Sequence, residues 1–197
     1  MDKETRFRPG SLEIRAEAGG GQGRISGYAI VFDELSDNLG GFREKISPEA
    51  VSSVDFSDTV ALFNHNSSQV LGSMRSGTLL LETDSAGVRF SLDVPDTSYG
   101  RDLYEMVSRG DISGASFGFF IGEGGDSWEM GYDDIPIRTV TGISSVPEVS
   151  VGVVFPAYPQ SSTTIQRCKE FESQLNGRAG IESATRLRKL RLLELGA

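Results

Sequence analysis

The sequence predicts a mainly β domain with one or two packed helices, whose strands form a closed or nearly closed barrel, followed by a short helical tail. Apolar residues alternate with polar ones through most of the chain, which is the pattern of half-buried strands. The 24 glycines interrupt these segments as tight turns. At least eight such segments, joined by one glycine-rich turn after another, favour barrel closure.

The strands are predicted where this alternation is clearest. They are placed, in chain order, over residues 12–16, 24–32, 42–46, 59–64, 69–74, 78–82, 88–94, 112–121, 128–132, 135–143 and 148–155. Gly27 interrupts the second strand, so we expect a bulge or a close backbone approach there. Pro156 ends the last strand.

Helices are predicted from capping residues and from the spacing of apolar side chains. A brief helix should follow Ser47, because this capping residue precedes Pro48 at the first helical position. A longer helix is predicted over residues 99–109 and ends at Gly110. Its apolar face consists of Leu103, Met106 and Val107, and three residues can cap its start: Asp96, Thr97 and Ser98.

The chain is predicted to contain one domain and a tail of different character. We place a β-barrel domain at residues 1–158, a polar linker at 159–165 and a helical tail at 166–197. Residues 1–164 hold 12 basic and 24 acidic residues, a net charge of −12, whereas residues 165–197 hold 7 and 4, a net charge of +3. The basic, amphipathic tail is expected to act as a docking element or to be removed, rather than only to be solvated.

Composition excludes several classes of protein. A hydrophobic fraction of 38% and a charged fraction of 24% are typical of a globular chain. The net charge of −9 argues against nucleic acid as the main partner, because phosphate binding needs a basic surface. No apolar run is long enough for a membrane span and the first ten residues lack a secretory signal, so we expect folding in the cytoplasm. With one histidine and one cysteine, Cys168, we expect no intrachain disulfide, no metal site and no cofactor.

Three side chains could carry chemistry. His65 follows an apolar strand at a turn, although a lone histidine is more often a surface residue or a satisfied core residue. Ser116 lies in a G-x-S-x-G pattern. The nucleophile elbow of α/β-hydrolases is excluded, because the segment continues as a strand and no histidine follows it. Glu148 enters an apolar strand, where it must be paired or solvated. It could form a salt bridge at the barrel rim or orient an imidazole.

These residue types fit the activation of a serine. A hydroxyl is a poor nucleophile until a neighbouring base takes its proton, and His65 is the residue whose ordinary pKa suits that task. Glu148 could fix the tautomer of the imidazole. The order His, Ser, Glu along the chain differs from that of the familiar serine hydrolases, so a different scaffold is expected.

Nine short segments resemble one family. They occur in order as residues 27–32 (GYAIVF), 63–65 (FNH), 70–72 (VLG), 96–97 (DT), 100–102 (GRD), 109–114 (RGDISG), 116–119 (SFGF), 148–150 (EVS) and 156–158 (PAY). Together they resemble the prohead protease family of HK97-like tailed phages over about residues 6–160. The resemblance implies a fold similar to the herpesvirus assembly protease, a β-barrel surrounded by helices.

The same resemblance implies a function. It implies a serine endopeptidase that cleaves scaffold-like or capsid-precursor segments, and itself, inside the immature capsid in the host cytoplasm, with self-association expected. The family's histidine corresponds to His65 and its serine to Ser116. The herpesvirus relatives use a second histidine, which this chain lacks, and Glu148 is the best match to the third member.

Alternatives stay open on the sequence alone. The domain could be a catalytically silent barrel that acts in capsid assembly or as a scaffold, or a hydrolase of small esters. Donors to the developing oxyanion are expected to be backbone N–H groups. Arg138 is a further candidate donor, against the simpler interpretation of an ordinary surface arginine.

Overall fold

The computed structural model describes residues 3–8, 12–15, 23–153, 169–171 and 173–175. Within residues 23–153, one α-helix, α1 (Ser98–Ser108), and one short 3₁₀ helix (Pro48–Val51) accompany the strands. The strands are β1 (Glu4–Arg8), β2 (Leu12–Arg15), β3 (Arg24–Val31), β4 (Arg43–Ile46), β5 (Val60–Phe63), β6 (Asn66–Ser73), β7 (Leu79–Thr83), β8 (Gly87–Asp93), β9 (Ala115–Ile121), β10 (Asp126–Met130), β11 (Pro136–Val140) and β12 (Ile143–Val151). The protein is therefore mainly β, as the sequence predicts.

The strands form three sheets. The largest has the order β1-β9-β12-β5-β6, the second the order β2-β3-β8-β7, and the third the order β10-β11-β4. Neighbouring strands are antiparallel except for the parallel pairs β12–β5 and β11–β4. In the described part of the chain no sheet pairs its first strand with its last, so the expected closed or nearly closed barrel is not confirmed.

An inner strand of the largest sheet, β9, is buried on both faces. Six of the seven residues of β9 are buried, and its run of apolar residues is typical of such a strand. Phe117 and Phe119 stack at a centroid distance of 5.1 Å. They belong to a single large core that also includes Phe90 of β8 and Leu103 of α1. The strand that carries Ser116 is therefore held rigidly from both sides.

Helix α1 begins and ends within one residue of its predicted limits, 99–109. The hydroxyl of Thr97 accepts a hydrogen bond from the backbone N–H of Gly100 at 3.1 Å, which caps the first turn. Leu103 and Val107 are buried on one face of the helix. Gly110 follows with a φ of +79°, a conformation that glycine adopts without strain. The chain then enters β9.

Several features of the strands differ from the prediction. The predicted strand 135–143 is interrupted, because Thr141 and Gly142 turn to donate hydrogen bonds to the carbonyl of Gly125. β12 therefore starts at Ile143 rather than at Glu148. The register shift in β3 lies between Tyr28 and Ile30, not at Gly27. The sequence analysis also missed β1, whose residues pair with β9.

A buried ion cluster joins β1 to the third sheet. Arg138 of β11 is only 1% exposed, and its guanidinium donates to Glu4, Glu44 and Asp126 at 2.7 to 3.1 Å. Arg6 of β1 donates to Glu44 at 2.5 Å and to Glu4 at 2.6 Å. Breaking a buried pair of this kind typically costs about 3–5 kcal/mol. The interpretation of Arg138 as a surface arginine is wrong, because its guanidinium is buried and hydrogen-bonded to three carboxylates where β1 meets the third sheet.

Only a fragment of the predicted tail is described. Residues 169–171 and 173–175 are helical, and the ring of Phe171 lies 6.1 Å from that of Trp128, between ring centroids. The linker at 159–165 and the rest of the tail lie outside the described residues. No helix in the described segments is long and apolar enough to cross a bilayer.

Candidate active site

His65 lies in the two-residue turn that joins β5 to β6. Phe63 pairs with Asn66, and the two residues between them, Asn64 and His65, have φ values of +48° and +59°. Two positive φ values in a two-residue hairpin are typical of a type I′ turn. Asparagine and histidine are among the non-glycine residues that tolerate this region best. The backbone of the turn therefore sets the direction of the imidazole.

The turn is fastened to the end of β12. The N–H of Asn64 donates to the carbonyl of Val151 at 3.0 Å, and the N–H of His65 donates to the hydroxyl of Ser150 at 3.1 Å. Phe63 packs directly over Gly152, where an added Cβ would lie 2.4 Å from a ring carbon. The position of the imidazole is therefore fixed by one strand and one glycine.

Glu148 contacts the imidazole directly. Its Oε1 lies 2.8 Å from Nδ1 of His65, and the two side chains are 3% and 20% exposed. An ionised carboxylate can only accept a hydrogen bond, so the proton of the neutral ring belongs on Nδ1. Nε2 is then the ring nitrogen able to accept a proton.

Three donors surround the carboxylate of Glu148. His65 and Lys3 both reach Oε1 at 2.8 Å, and the hydroxyl of Ser150 donates to Oε2 at 2.5 Å. Burial alone would raise the pKa of Glu148, but the hydrogen bonds from these three residues outweigh it and hold the pKa at about 2. The carboxylate is therefore ionised throughout the neutral range.

Ser116 faces the same side of the sheet. On β9 it is the direct cross-strand partner of Ser150, while Gly118 is the partner of Glu148. Side chains of antiparallel partners point to one face, with Cβ atoms about 5 Å apart. Ser116 is 1% exposed. Among the described residues, no hydrogen bond joins its hydroxyl to the imidazole. The structure thus brings His65 and Glu148 into contact and places Ser116 on the neighbouring strand.

The arrangement combines the parts of an acyl-transfer site. A buried, ionised carboxylate holds an imidazole, and a serine lies on the same sheet face. One family model, described as Caudovirus prohead serine protease, matches residues 10–175. The chain belongs to the caudovirus prohead serine protease family. No significant match was found among curated proteins or among solved structures.

Membership of the prohead protease family defines the function in outline. It implies serine peptidase activity, interaction with capsid precursor proteins, and a location inside the immature capsid in the host cell. The matched segment includes His65, Ser116 and Glu148. Lys3 and the whole of β1 precede it.

Sequence analysis missed three residues of this candidate site. Ser150 stands two residues after Glu148 on a strand, and this spacing places both side chains on one face. At Gly118 an added Cβ would lie 2.7 Å from both Oε1 of Glu148 and Cε of Lys3. The second glycine of the G-x-S-x-G pattern therefore makes room for the carboxylate. No local signal in the sequence indicates Lys3, which is 145 residues from its partner.

The other polar candidates lie apart from this site. The guanidinium of Arg138 is surrounded by carboxylates of the ion cluster, so it is not poised as an oxyanion donor. Within the residues that the structure describes, no group of three or more histidine, cysteine or acidic side chains is arranged to hold a metal ion.

Proposed function

We propose that this family member is a serine endopeptidase that cleaves capsid-precursor or scaffold segments, and itself, during prohead maturation. Ser116 is the nucleophile, His65 the general base and Glu148 the orienting acid. One observation carries the proposal: the only imidazole in the chain lies 2.8 Å from a buried carboxylate, on the sheet face that bears Ser116.

The reaction follows from the protonation states of these groups. Nε2 of His65 takes the proton of the Ser116 hydroxyl while the oxygen attacks the scissile carbonyl. The imidazolium then gives that proton to the leaving amine, the C–N bond breaks, and an ester to Ser116 remains. Water, deprotonated by the same nitrogen, hydrolyses the ester and regenerates the hydroxyl. Glu148 stays ionised throughout and stabilises the imidazolium.

The hydroxyl and the imidazole must meet during this cycle. Catalytic hydrogen bonds are often long or absent without substrate and tighten only in the substrate complex. The Ser116 hydroxyl and the imidazole are carried by neighbouring parts of the fold. The cross-strand partner of Ser116 is Ser150, whose hydroxyl accepts a hydrogen bond from the backbone N–H of His65. We propose that a bound peptide closes the separation between hydroxyl and imidazole, with backbone N–H groups as the oxyanion donors.

A serine-directed fluorophosphonate tests the assignment on the purified chain. We expect stoichiometric labelling of the wild type and none of Ser116→Ala or His65→Ala. Ser113→Ala is the matched control, because Ser113 is exposed and only three residues away. Equal labelling of the wild type and Ser116→Ala would rule out Ser116 as the nucleophile.

Co-expression with the capsid precursor tests the substrate. We expect a shortened capsid protein and a shortened protease with the wild type, and full-length forms of both with Ser116→Ala. Mass spectra of the assembled particle also report whether the tail is removed. Ester hydrolysis without any peptide cleavage would favour a small-ester hydrolase instead.

A catalytically silent assembly protein is the second candidate. It is favoured by the burial of Ser116, which is 1% exposed, in a site where described residues form no hydrogen bond from it to the imidazole. This candidate predicts no labelling at all, in the free chain or in assembled particles, and normal assembly with Ser116→Ala.

A further inference from the structure

We infer that Lys3 is a positioning residue of this site: its ammonium holds the Glu148 carboxylate in the orientation that faces His65. The consequence for cleavage rests on the proposed function, whereas the effect on the imidazole does not. Nζ of Lys3 and Nδ1 of His65 lie 2.8 Å from the same oxygen, Oε1 of Glu148.

Every donor to the carboxylate comes from a different part of the fold. Ser150, on β12 itself, occupies Oε2, His65 approaches from the β5–β6 turn, and Lys3 approaches from the residue before β1. The titratable groups that face Glu148 are His65 and Lys3. Lys3 therefore supplies a second donor to Oε1, beside the imidazole of the turn.

The strand that follows Lys3 is firmly anchored. Glu4 pairs with Phe119 in the β1–β9 ladder and is only 4% exposed. Its carboxylate accepts hydrogen bonds from Arg138 of the ion cluster. Arg6, two residues on, binds Glu44. The side chain of Lys3 is itself 38% exposed, but its backbone starts from a fixed point. The ion cluster thus helps to position Lys3, because it fixes Glu4, the next residue in the chain.

A missing side chain provides the room. A Cβ at position 118 would lie 2.7 Å from Cε of Lys3 and from Oε1 of Glu148. The lysine stem and the carboxylate therefore meet over the backbone of β9, two residues from Ser116. The contact between Lys3 and Glu148 thus depends on an anchored strand and on a glycine at position 118. A chance ion pair on the surface would require neither.

The ammonium has a measurable effect on the imidazole. Lys3 and a protonated His65 would be two cations bound to one oxygen, and each disfavours the other. Removing Lys3 leaves the full carboxylate charge to the imidazolium, so the midpoint of the imidazole titration moves to higher pH. A partly exposed pair supports a shift of about 0.2–0.7 pH unit. The acid limb of kcat/KM moves by the same amount in the same direction.

The carboxylate also loses a fixed orientation without Lys3. We expect kcat to fall about tenfold on Lys3→Met with KM little changed, because the lost contact orients the base and does not touch the peptide. Lys3→Arg keeps the charge and should restore most of the rate. A merely structural role for Lys3 would lower the stability of the chain without moving either the titration or the acid limb.

The single histidine makes the decisive experiment direct. In a chain labelled with ¹³C-histidine, one imidazole signal is titrated in the wild type, Lys3→Met, Lys3→Gln and Lys3→Arg, each also in a Ser116→Ala background. The control is Lys45→Met, which removes a lysine whose ion pair with Glu129, at 3.5 Å, lies elsewhere on the surface. We expect Lys3→Met and Lys3→Gln to have a higher midpoint than the wild type, and Lys3→Arg and the control to have the same midpoint as the wild type.

The outcomes separate the two proposals. Midpoints of Lys3→Met and Lys3→Gln that do not differ from the midpoint of the wild type would overturn the role of Lys3. Circular dichroism checks that both variants fold, and Gln keeps a donor should Met loosen β1. If the midpoint moves but the wild type takes up no fluorophosphonate, the role of Lys3 stands and the protease assignment falls.

Discussion

Replacing Glu148 with glutamine should remove a pH-dependent part of the stability. The pKa of Glu148 falls from 4.5 to about 2 in the folded chain, because three hydrogen bonds to the carboxylate outweigh the effect of burial. A difference of one unit corresponds to about 1.4 kcal/mol, so the carboxylate contributes about 3 kcal/mol. The unfolded chain takes up the proton at higher pH than the folded chain. The contribution is therefore complete above about pH 5 and is lost as the pH falls towards 2.

Urea unfolding at a series of pH values measures this contribution. The single tryptophan, Trp128, whose ring lies 5.2 Å from that of Phe42 between centroids, reports the transition by fluorescence. We expect the free energy of unfolding of the wild type to exceed that of Glu148→Gln by about 3 kcal/mol at pH 7 and by progressively less below pH 5. Glu82→Gln is the control, because Glu82 is exposed on β7. A difference that is below about 1 kcal/mol at pH 7, or that does not change with pH, would refute the reasoning.

Four further substitutions test the parts around the site. Gly118→Ala should slow fluorophosphonate labelling at least about tenfold, because the added Cβ displaces the carboxylate; Gly122→Ala, whose Cβ meets only ordinary contacts, should label normally. Gly152→Ala, at a φ of +85° beside a ring, should lower the free energy of unfolding by at least about 1 kcal/mol, and an unchanged urea midpoint would contradict the packing argument. Arg138→Met should cost about 3–5 kcal/mol in the same assay, since three buried carboxylates lose the hydrogen bonds that its guanidinium donates. Thr97→Ala should cost about 1 kcal/mol through the lost cap, and a loss below about 0.3 would show that the cap is unimportant.

Local patterns in the sequence predicted most individual elements. Alternation located the strands, and Thr97 and Gly110 located the limits of α1. The position of His65 at a turn also followed, since an apolar strand ends at a pair of residues that tolerate positive φ. β1 could not be found in this way. The side chain of Glu4 is buried in β1 and that of Arg6 is partly buried, but only because their partners come from β4 and β11.

The arrangement of the sheets could not be predicted from the strands alone. A count of strands does not say which ones pair, and the parallel pairs β12–β5 and β11–β4 join segments about 90 residues apart in the chain. The barrel was expected from the number of strands and the glycine-rich turns between them. Instead Thr141 and Gly142 bind the loop at Gly125, which separates β11 from β12 and sends them into different sheets.

The candidate site was predictable in part for a similar reason. Residue chemistry selected His65, Ser116 and Glu148, and the spacing of Glu148 and Ser150 would have indicated a shared face. The contact of Lys3 depends on the register of β1 against β9, which no local pattern encodes.

The sealed ion cluster has a consequence for the buffer in which the protein works. Dissolved salt screens charges that water reaches, such as Arg101 and Asp96 on the surface, but acts weakly on charges from which solvent is excluded. High ionic strength should therefore loosen the periphery of the molecule while the joint between β1 and its neighbours holds.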